Sequence, residues 1–108
     1  MDDATFQSAA DGTLADLMDR IDDALGDRME VDLEDGVLTI ELDTGGQYLI
    51  NKHGPMRQIW LSSPVSGAGH YDYNATQGAW INSRSGESLT ALLATELSAA
   101  AGQPMDLG

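Results

Sequence analysis

The sequence predicts an α+β domain in which one antiparallel sheet of five to six strands carries two helices on a single face. Apolar residues recur at helical spacing over residues 3–26 and again over about residues 87–101. The residues between them alternate in short runs separated by turn signals, which is typical of a meander of strands. With both helices on one side of the sheet, the other face is expected to be open to solvent.

The first helix has one apolar stripe and an acidic side. Its apolar residues lie three or four positions apart: Phe6, Ala10, Leu14, Leu17, Ile21 and Leu25. At roughly 100° per residue, Asp16, Asp19, Asp22 and Asp23 project from the opposite side. Gly26 is the expected end of this helix.

Residues 29–42 are predicted to form a hairpin around an Asp35-Gly36 turn. A two-residue turn at this position pairs Leu33 with Leu38 and places the alternating apolar residues on one face. The same register sets Glu30 opposite Glu41, and like charges directly opposed are unfavourable. The predicted register therefore places the apolar residues together on the core side, while repulsion between Glu30 and Glu41 destabilises the other side.

The segment from Tyr48 to Tyr73 predicts two strands joined by a His53-Gly54-Pro55 turn, followed by a glycine-rich loop and a third strand. Alternation assigns one set of side chains to the core: Tyr48, Ile50, Ile59 and Leu61. It assigns Asn51, Gln58 and Trp60 to the other face. A tryptophan among amides is typical of a contact surface, although partial cover by the glycine-rich loop is an alternative. His53 is expected to be exposed in its turn.

A short strand, Ala79–Asn82, and a second helix complete the predicted domain. Ser85 or Gly86 is the expected cap of this helix. Its apolar side is predicted to hold Leu89, Leu92, Leu93, Leu97 and Ala100. The prediction is one domain, residues 1–101, followed by a short and loose tail, residues 102–108.

The net charge of −13 at pH 7 is concentrated in the first part of the chain. Residues 1–43 hold fourteen acidic and two basic residues, whereas residues 44–108 hold four acidic and three basic ones. This distribution argues against nucleic-acid and anionic-membrane partners, which require a basic surface. It favours cations or a basic protein partner, although solubility alone is an alternative explanation.

Cysteine is absent, which excludes disulfides, thiolate metal sites and thiol nucleophiles in this chain. No apolar run approaches the roughly 18 residues of a membrane span. The acidic N-terminus resembles neither a secretory signal nor an arginine-rich transit peptide. These features favour a cytoplasmic protein, with a processed form in the mitochondrial matrix as the alternative.

Three short segments identify a resemblance to a known family. The sequences INK at residues 50–52, QIWLSSP at residues 58–64 and YDY at residues 71–73 closely resemble those of the frataxin family. The resemblance extends from about Phe6 to Leu97. It implies the frataxin α-β sandwich, with two helices on one face of the sheet and an exposed sheet surface.

The frataxin resemblance also implies two sites. Frataxins bind iron weakly through acids on the first helix and first strand, which here gives Asp16, Asp19, Asp22, Asp23, Asp27, Glu30 and Asp32. From the residues alone, this acidic ridge is either a solvated helix face or a shallow, poorly selective site for hard cations. The sheet surface implied to contact iron–sulfur cluster assembly proteins consists of Asn51, Gln58, Trp60 and His70. His70 stands where some relatives have arginine.

The implied role is a non-enzymatic, iron-binding adaptor that docks on a cysteine desulfurase and its scaffold protein. The alternative is an iron store that oxidises Fe²⁺ and holds Fe³⁺ in oligomers. The sequence weighs against the alternative as the main role, because it contains no Glu-x-x-His di-iron motif. The chain is accordingly expected to be a monomer that oligomerises, if at all, with iron.

Overall fold

The computed structural model describes residues 1–107. Within them the chain forms two helices and six strands: α1 (Asp3–Leu25), β1 (Met29–Glu34), β2 (Val37–Leu42), β3 (Gln47–His53), β4 (Gln58–Ser63), β5 (Gly67–Asn74), β6 (Ala79–Asn82) and α2 (Leu89–Ala101). The strands form one antiparallel sheet in the order β1-β2-β3-β4-β5-β6. Both helices contribute buried residues to the same core. The predicted fold class is confirmed.

Helix α1 buries the whole apolar stripe that its sequence predicts. The Asp2 carboxylate caps its N-terminus by accepting a hydrogen bond from the Thr5 amide at 2.8 Å. The helix ends at Gly26, which keeps a right-handed φ of −62°. A Cβ at this position would collide with the backbone oxygen of Asp22. Gly26 is thus required for space and not for a left-handed conformation.

The β1–β2 hairpin has the predicted register, with Leu33 opposite Leu38 and Glu30 opposite Glu41. Asp35 and Gly36 have φ values of 53° and 75°. Two successive left-handed residues form the type I′ turn that matches the twist of paired strands. Because Leu33 and Leu38 face the core in this register, Glu30 and Glu41 lie on the other face of the sheet, away from the helices, and both are exposed.

Two details of the central segment differ from the sequence prediction. The turn extends beyond the predicted His53-Gly54-Pro55 to Arg57, which has a φ of 50°, so that β4 begins at Gln58. The expected glycine-rich loop is the first half of β5, where Gly69 pairs with Leu61. A Cβ on Gly69 would lie 3.1 Å from the Tyr71 ring and 3.2 Å from the Asn82 amide, so the glycine makes room for its neighbours.

Helix α2 begins later than predicted. Its cap is Ser88, whose Oγ accepts a hydrogen bond from the Ala91 amide at 3.1 Å. The preceding residues cannot start the helix because the Asn82 amide donates to the Glu87 carbonyl at 2.8 Å, and Ser88 still bridges to β6. On the buried side the last residue is Ala101 and not Ala100.

Residues 103–107 of the C-terminal tail pack against the domain, contrary to the prediction of a loose tail, and Gly108 lies outside the described residues. Leu107 is 3% exposed and belongs to the core, and Met105 packs against that core. Gln103 Nε2 also donates to the carbonyl of Ala24 at 3.4 Å. The tail therefore covers apolar surface between the helices and β6.

A half-buried carboxylate connects α2 to the sheet. Glu96 Oε1 accepts hydrogen bonds from the Tyr48 hydroxyl at 2.9 Å and from Ser63 Oγ at 2.6 Å. Ser63 Oγ in turn accepts from the amides of Val65 and Ser66, both at 3.0 Å. One side chain of α2 thus anchors β3, β4 and the turn that leads into β5.

Replacing Glu96 with alanine is expected to reduce the free energy of unfolding by about 1–3 kcal/mol, because the Tyr48 hydroxyl would be left buried without an acceptor. Urea unfolding measures this change. Glu87→Ala is the matched control, because Glu87 is an exposed acid just before the same helix. Equal unfolding midpoints for the two variants would show that the Glu96 network does not stabilise the fold.

The same network predicts a loss of stability at alkaline pH. Burial, followed by the hydrogen bond to Glu96 and its negative charge, raises the pKa of Tyr48 to about 12. An unfolded tyrosine ionises near pH 10. The neutral phenol therefore contributes stability that is fully present below about pH 10 and lost as the pH rises towards 12.

Tyr48→Phe is expected to flatten the alkaline decline of the unfolding free energy between about pH 9 and 11.5. A remaining slope is expected from Tyr71, whose pKa is also raised by burial. Urea unfolding at a series of pH values measures both slopes. An unchanged slope in Tyr48→Phe would assign the alkaline decline to other groups.

Candidate functional site

The centre of the open sheet face is a row of three side chains on neighbouring strands. Asn51 on β3 lies directly opposite Trp60 on β4, and Trp60 lies directly opposite His70 on β5. Side chains alternate along each strand, so all three project away from the helices. The sequence prediction that Asn51 and Trp60 share a face is confirmed by this register.

Hydrogen bonds fix the orientation of the Trp60 ring. Trp60 Nε1 donates to Gln58 Oε1 at 2.8 Å, and Gln58 Nε2 donates to Asp72 Oδ1 at 3.0 Å. Gln58 is only 8% exposed, so it offers little surface to a partner. Its amide instead links the indole to a carboxylate on the neighbouring strand.

Two imidazole rings enclose Trp60 from its two sides. The His53 ring lies 3.6 Å from the Trp60 ring between centroids, with 8° between their planes. The His70 ring lies 4.3 Å away on the other neighbouring strand, at 14°. Both imidazole rings are therefore stacked on the indole.

His53 is the residue beside Trp60 that sequence reasoning missed. Its ring is half-buried and stacked, whereas the turn position suggested simple exposure. The signal that could have found it is the strand register. Because His53 pairs with Gln58, it lies diagonal to Trp60 on the same face, within reach of an aromatic side chain.

The acids predicted to attract a cation are all exposed: Asp16, Asp19, Asp22, Asp23, Asp27, Glu30 and Asp32. Arg20 Nε forms a salt bridge with Asp16 Oδ2 at 2.9 Å, the only cation paired with this set that the structure shows among residues 1–107. Exposed carboxylates keep their hydration, so we expect any attraction of an ion here to be weak and to depend on salt.

The structure divides most of these acids between two shallow depressions. Asp19, Asp22 and Asp23 line the first, together with Arg20. The second lies where β1 and β2 meet the end of α1, and its acidic residues are Asp27, Glu30, Glu41 and Asp43. Sequence reasoning missed Glu41 and Asp43 as members of this group, although the predicted pairing of Glu30 with Glu41 indicated the first of them.

In residues 1–107, no three His, Cys, Asp or Glu side chains lie close enough together to hold a metal ion. The acidic ridge therefore consists of oxygen donors suited in chemistry to hard cations but not gathered into a site. In the same residues, no helix has the length and apolar character needed to cross a membrane.

Comparison with known proteins identifies the family. The chain matches the Frataxin-like domain over residues 1–103. The chain belongs to the frataxin family. It is 44% identical over 109 residues to "Iron-sulfur cluster assembly protein CyaY" of Thioalkalivibrio sulfidiphilus, a match that covers 99% of this chain and 100% of the relative. It is 39% identical over 107 residues to the mitochondrial frataxin of Arabidopsis thaliana, covering 94% of this chain and 57% of that protein.

Solved frataxin structures have the same architecture. Frataxin from Psychromonas ingrahamii, of the CyaY family, superposes with a TM-score of 0.88 at 28% identity, covering 100% of this chain and 99% of that one. Trimeric frataxin from Saccharomyces cerevisiae, complexed with ferrous iron, superposes with a TM-score of 0.76 at 37% identity, covering 88% and 87%. The frataxin fold expected from the sequence is thus confirmed.

In this frataxin the two predicted sites differ in how well they are formed. The sheet-face residues Asn51, Trp60 and His70 form one continuous row, and Gln58 lies two residues before Trp60 on the same face of β4, where it accepts a hydrogen bond from the indole. The acidic ridge is instead a broad charged surface along α1 and β1. An ordered aromatic row and a diffuse negative surface are both typical of protein contacts.

Proposed function

We propose that this frataxin is an iron-binding adaptor of iron–sulfur cluster assembly that docks on a cysteine desulfurase and its scaffold protein. Support comes from the family and from the relative of matching length, which is named an iron–sulfur cluster assembly protein. The bacterial relative also supports the cytoplasm as its compartment. We propose that the chain acts as a monomer and has no reaction of its own.

The observation that supports the proposal most directly is the arrangement of the Trp60 side chain. Its ring lies on the open sheet face and is fixed by the hydrogen bond to Gln58 and the contacts with His53 and His70. Tryptophan is enriched among residues that dominate binding energy when a partner covers them. We assign the row formed by Asn51, Trp60 and His70, the Trp60 row, to contact with the scaffold protein.

The acidic ridge supplies the other half of the proposed contact. Its exposed carboxylates complement a basic surface on the desulfurase, which would raise the rate of encounter and make binding depend on salt. The same carboxylates would attract Fe²⁺ as cargo through oxygen donors, weakly and together with water. Docking would place that iron near the partner without a preformed site in the free chain.

The first experiment compares binding with iron chemistry. Isothermal titration of the protein into a purified desulfurase–scaffold complex is expected to show saturable binding that weakens with salt. Fe²⁺ added to the protein alone is expected to cause neither rapid oxygen consumption nor growth in particle size. Absence of binding at low salt, with or without Fe²⁺, would contradict the adaptor function.

The second candidate is an iron store that oxidises Fe²⁺ and holds Fe³⁺ in oligomers. The solved structures of trimeric yeast frataxin support this candidate, because they are assemblies of chains that are 36% and 37% identical to this one. It predicts oxygen consumption on Fe²⁺ addition and iron-driven growth measured by light scattering. It assigns no role to the Trp60 row.

A further inference from the structure

We propose that His53 and His70 are positioning residues that hold the Trp60 indole in the orientation used for docking. This inference rests on the proposed docking function and adds a role for a turn-flanking histidine. The two imidazoles come from β3 and β5, the strands on either side of Trp60. Their ring centroids lie 3.6 Å and 4.3 Å from that of Trp60, with interplanar angles of 8° and 14°. The indole is therefore confined between two flat rings.

Stacking and hydrogen bonding restrict different motions of Trp60. The flanking rings oppose swinging of the indole towards either neighbouring strand. The bond from Trp60 Nε1 to Gln58 Oε1, at 2.8 Å, opposes a half-turn of the ring about the Cβ–Cγ bond, which would move Nε1 away from its acceptor. Asp72 holds the Gln58 amide in the required direction, because its Oδ1 accepts from Gln58 Nε2 at 3.0 Å. Together these contacts leave one preferred orientation.

His53 is itself held in place by the turn that follows it. The Met56 amide donates to His53 Nδ1 at 3.2 Å, so Nδ1 acts as an acceptor and carries no proton in this arrangement. The turn closes with Arg57 at a φ of 50°, which brings the chain back into β4. The ring is therefore oriented by the β3–β4 connection and not by Trp60 alone.

Confinement matters for affinity because a free indole on an open sheet would lose rotamer freedom when a partner covers it. The cost of ordering one such side chain corresponds to a change of roughly two- to tenfold in Kd. In this structure the ordering takes place on folding. Loss of either flanking ring should therefore weaken docking through Trp60, and His53, which lies outside the row Asn51, Trp60 and His70, need not touch the partner for this effect.

The test distinguishes the contribution of the flat His53 ring from that of its hydrogen-bond acceptor, Nδ1. His53→Phe keeps a flat ring but removes the acceptor, whereas His53→Asn keeps an acceptor for the Met56 amide but removes the ring. His70→Ala removes the other ring. Ser62→Ala is the control, because Ser62 is an exposed residue of β4 on the same face. Two quantities are measured: order of the Trp60 indole N–H by NMR relaxation in the free protein, and Kd for the purified desulfurase–scaffold complex.

His53→Asn and His70→Ala are each expected to lower the order of the Trp60 indole while the indole of Trp80 stays unchanged. Each should also raise Kd roughly two- to tenfold. Ser62→Ala should resemble the original protein. His53→Phe keeps the ring but loses the bond from the Met56 amide, and it should stay closer to the original protein than His53→Asn. In a Trp60→Ala background, His53→Asn should have no further effect on Kd, which is the signature of action through Trp60.

The positioning role is overturned if indole order is unchanged in His53→Asn and His70→Ala, or if His53→Phe is as mobile as His53→Asn. It is also overturned if His53→Asn keeps its full effect on Kd in the Trp60→Ala background, since His53 would then act independently of Trp60. If Trp60→Ala leaves Kd unchanged, the docking function itself fails. The indole measurement on the free protein then still decides whether the histidines hold the ring.

Discussion

Trp60→Ala is expected to raise the Kd for the desulfurase–scaffold complex by about 30-fold or more. A central aromatic anchor that becomes covered by a partner contributes about 2 kcal/mol or more, and truncation to alanine removes the whole ring. The loss should appear chiefly as faster dissociation, because the ring acts after the partners have met. Surface plasmon resonance or calorimetry with the purified complex measures the change.

The control for Trp60→Ala is Leu61→Ala on the same strand. Leu61 is 3% exposed and faces the core, so its truncation should cost about 2–5 kcal/mol of unfolding free energy. Trp60→Ala should cost clearly less, because its ring lies on the open face. A loss of stability as large as that of Leu61→Ala would identify Trp60 as a structural residue, and unchanged affinity would remove it from the docking surface.

Replacement of Asp19, Asp22 and Asp23 by asparagine is expected to slow association several-fold, weaken its salt dependence and abolish effects of Fe²⁺ on the complex. The three carboxylates line one depression on the exposed side of α1. Their removal reduces the negative field that steers a basic partner. Stopped-flow association rates at several salt concentrations measure the effect.

The same triple variant should be as stable as the original protein or more stable. Like charges three and four residues apart destabilise a helix by roughly 0.2–0.5 kcal/mol per pair, and acids in the last turn oppose the helix dipole. Replacement of Asp3, Asp35 and Glu87 by their amides provides a control with equal net charge, since all three are exposed and lie outside the ridge. Equal slowing by both triple variants would show that total charge, and not the ridge, governs association.

Periodic patterns in the sequence predicted the framework of the fold. The stripe from Phe6 to Leu25 specifies the buried side of α1, because only a helix brings residues at this spacing together. The Asp35-Gly36 turn specifies the register of β1 and β2, because both residues adopt left-handed φ values. These are local constraints, and the sequence states them directly.

Features that depend on contacts between distant residues were not predictable in the same way. Ser88 caps α2 because β6 keeps the chain extended as far as that residue. Leu107 is buried because the helices and β6 leave apolar surface for the tail to cover.

For the candidate site, alternation predicted which side chains share the open face but not how they contact one another. The stacking of His53 on Trp60 and the burial of Gln58 depend on diagonal neighbours across the β3–β4 pair and on side-chain rotamers. The acidic ridge was read from the charge pattern of α1 and β1. The depression formed with Glu41 and Asp43 required the pairing of β1 with β2.

The central claim is that one docking surface combines the acidic ridge with the Trp60 row. Its most direct test is an amide NMR titration of the isotopically labelled protein with a cysteine desulfurase–scaffold complex at low and high salt. We expect signals from residues 16–34 and from Asn51, Gln58 and Trp60 to change together, and less at high salt. If signals change only after Fe²⁺ is added, and then only along the acidic ridge, the adaptor account is wrong and the chain stores or buffers iron.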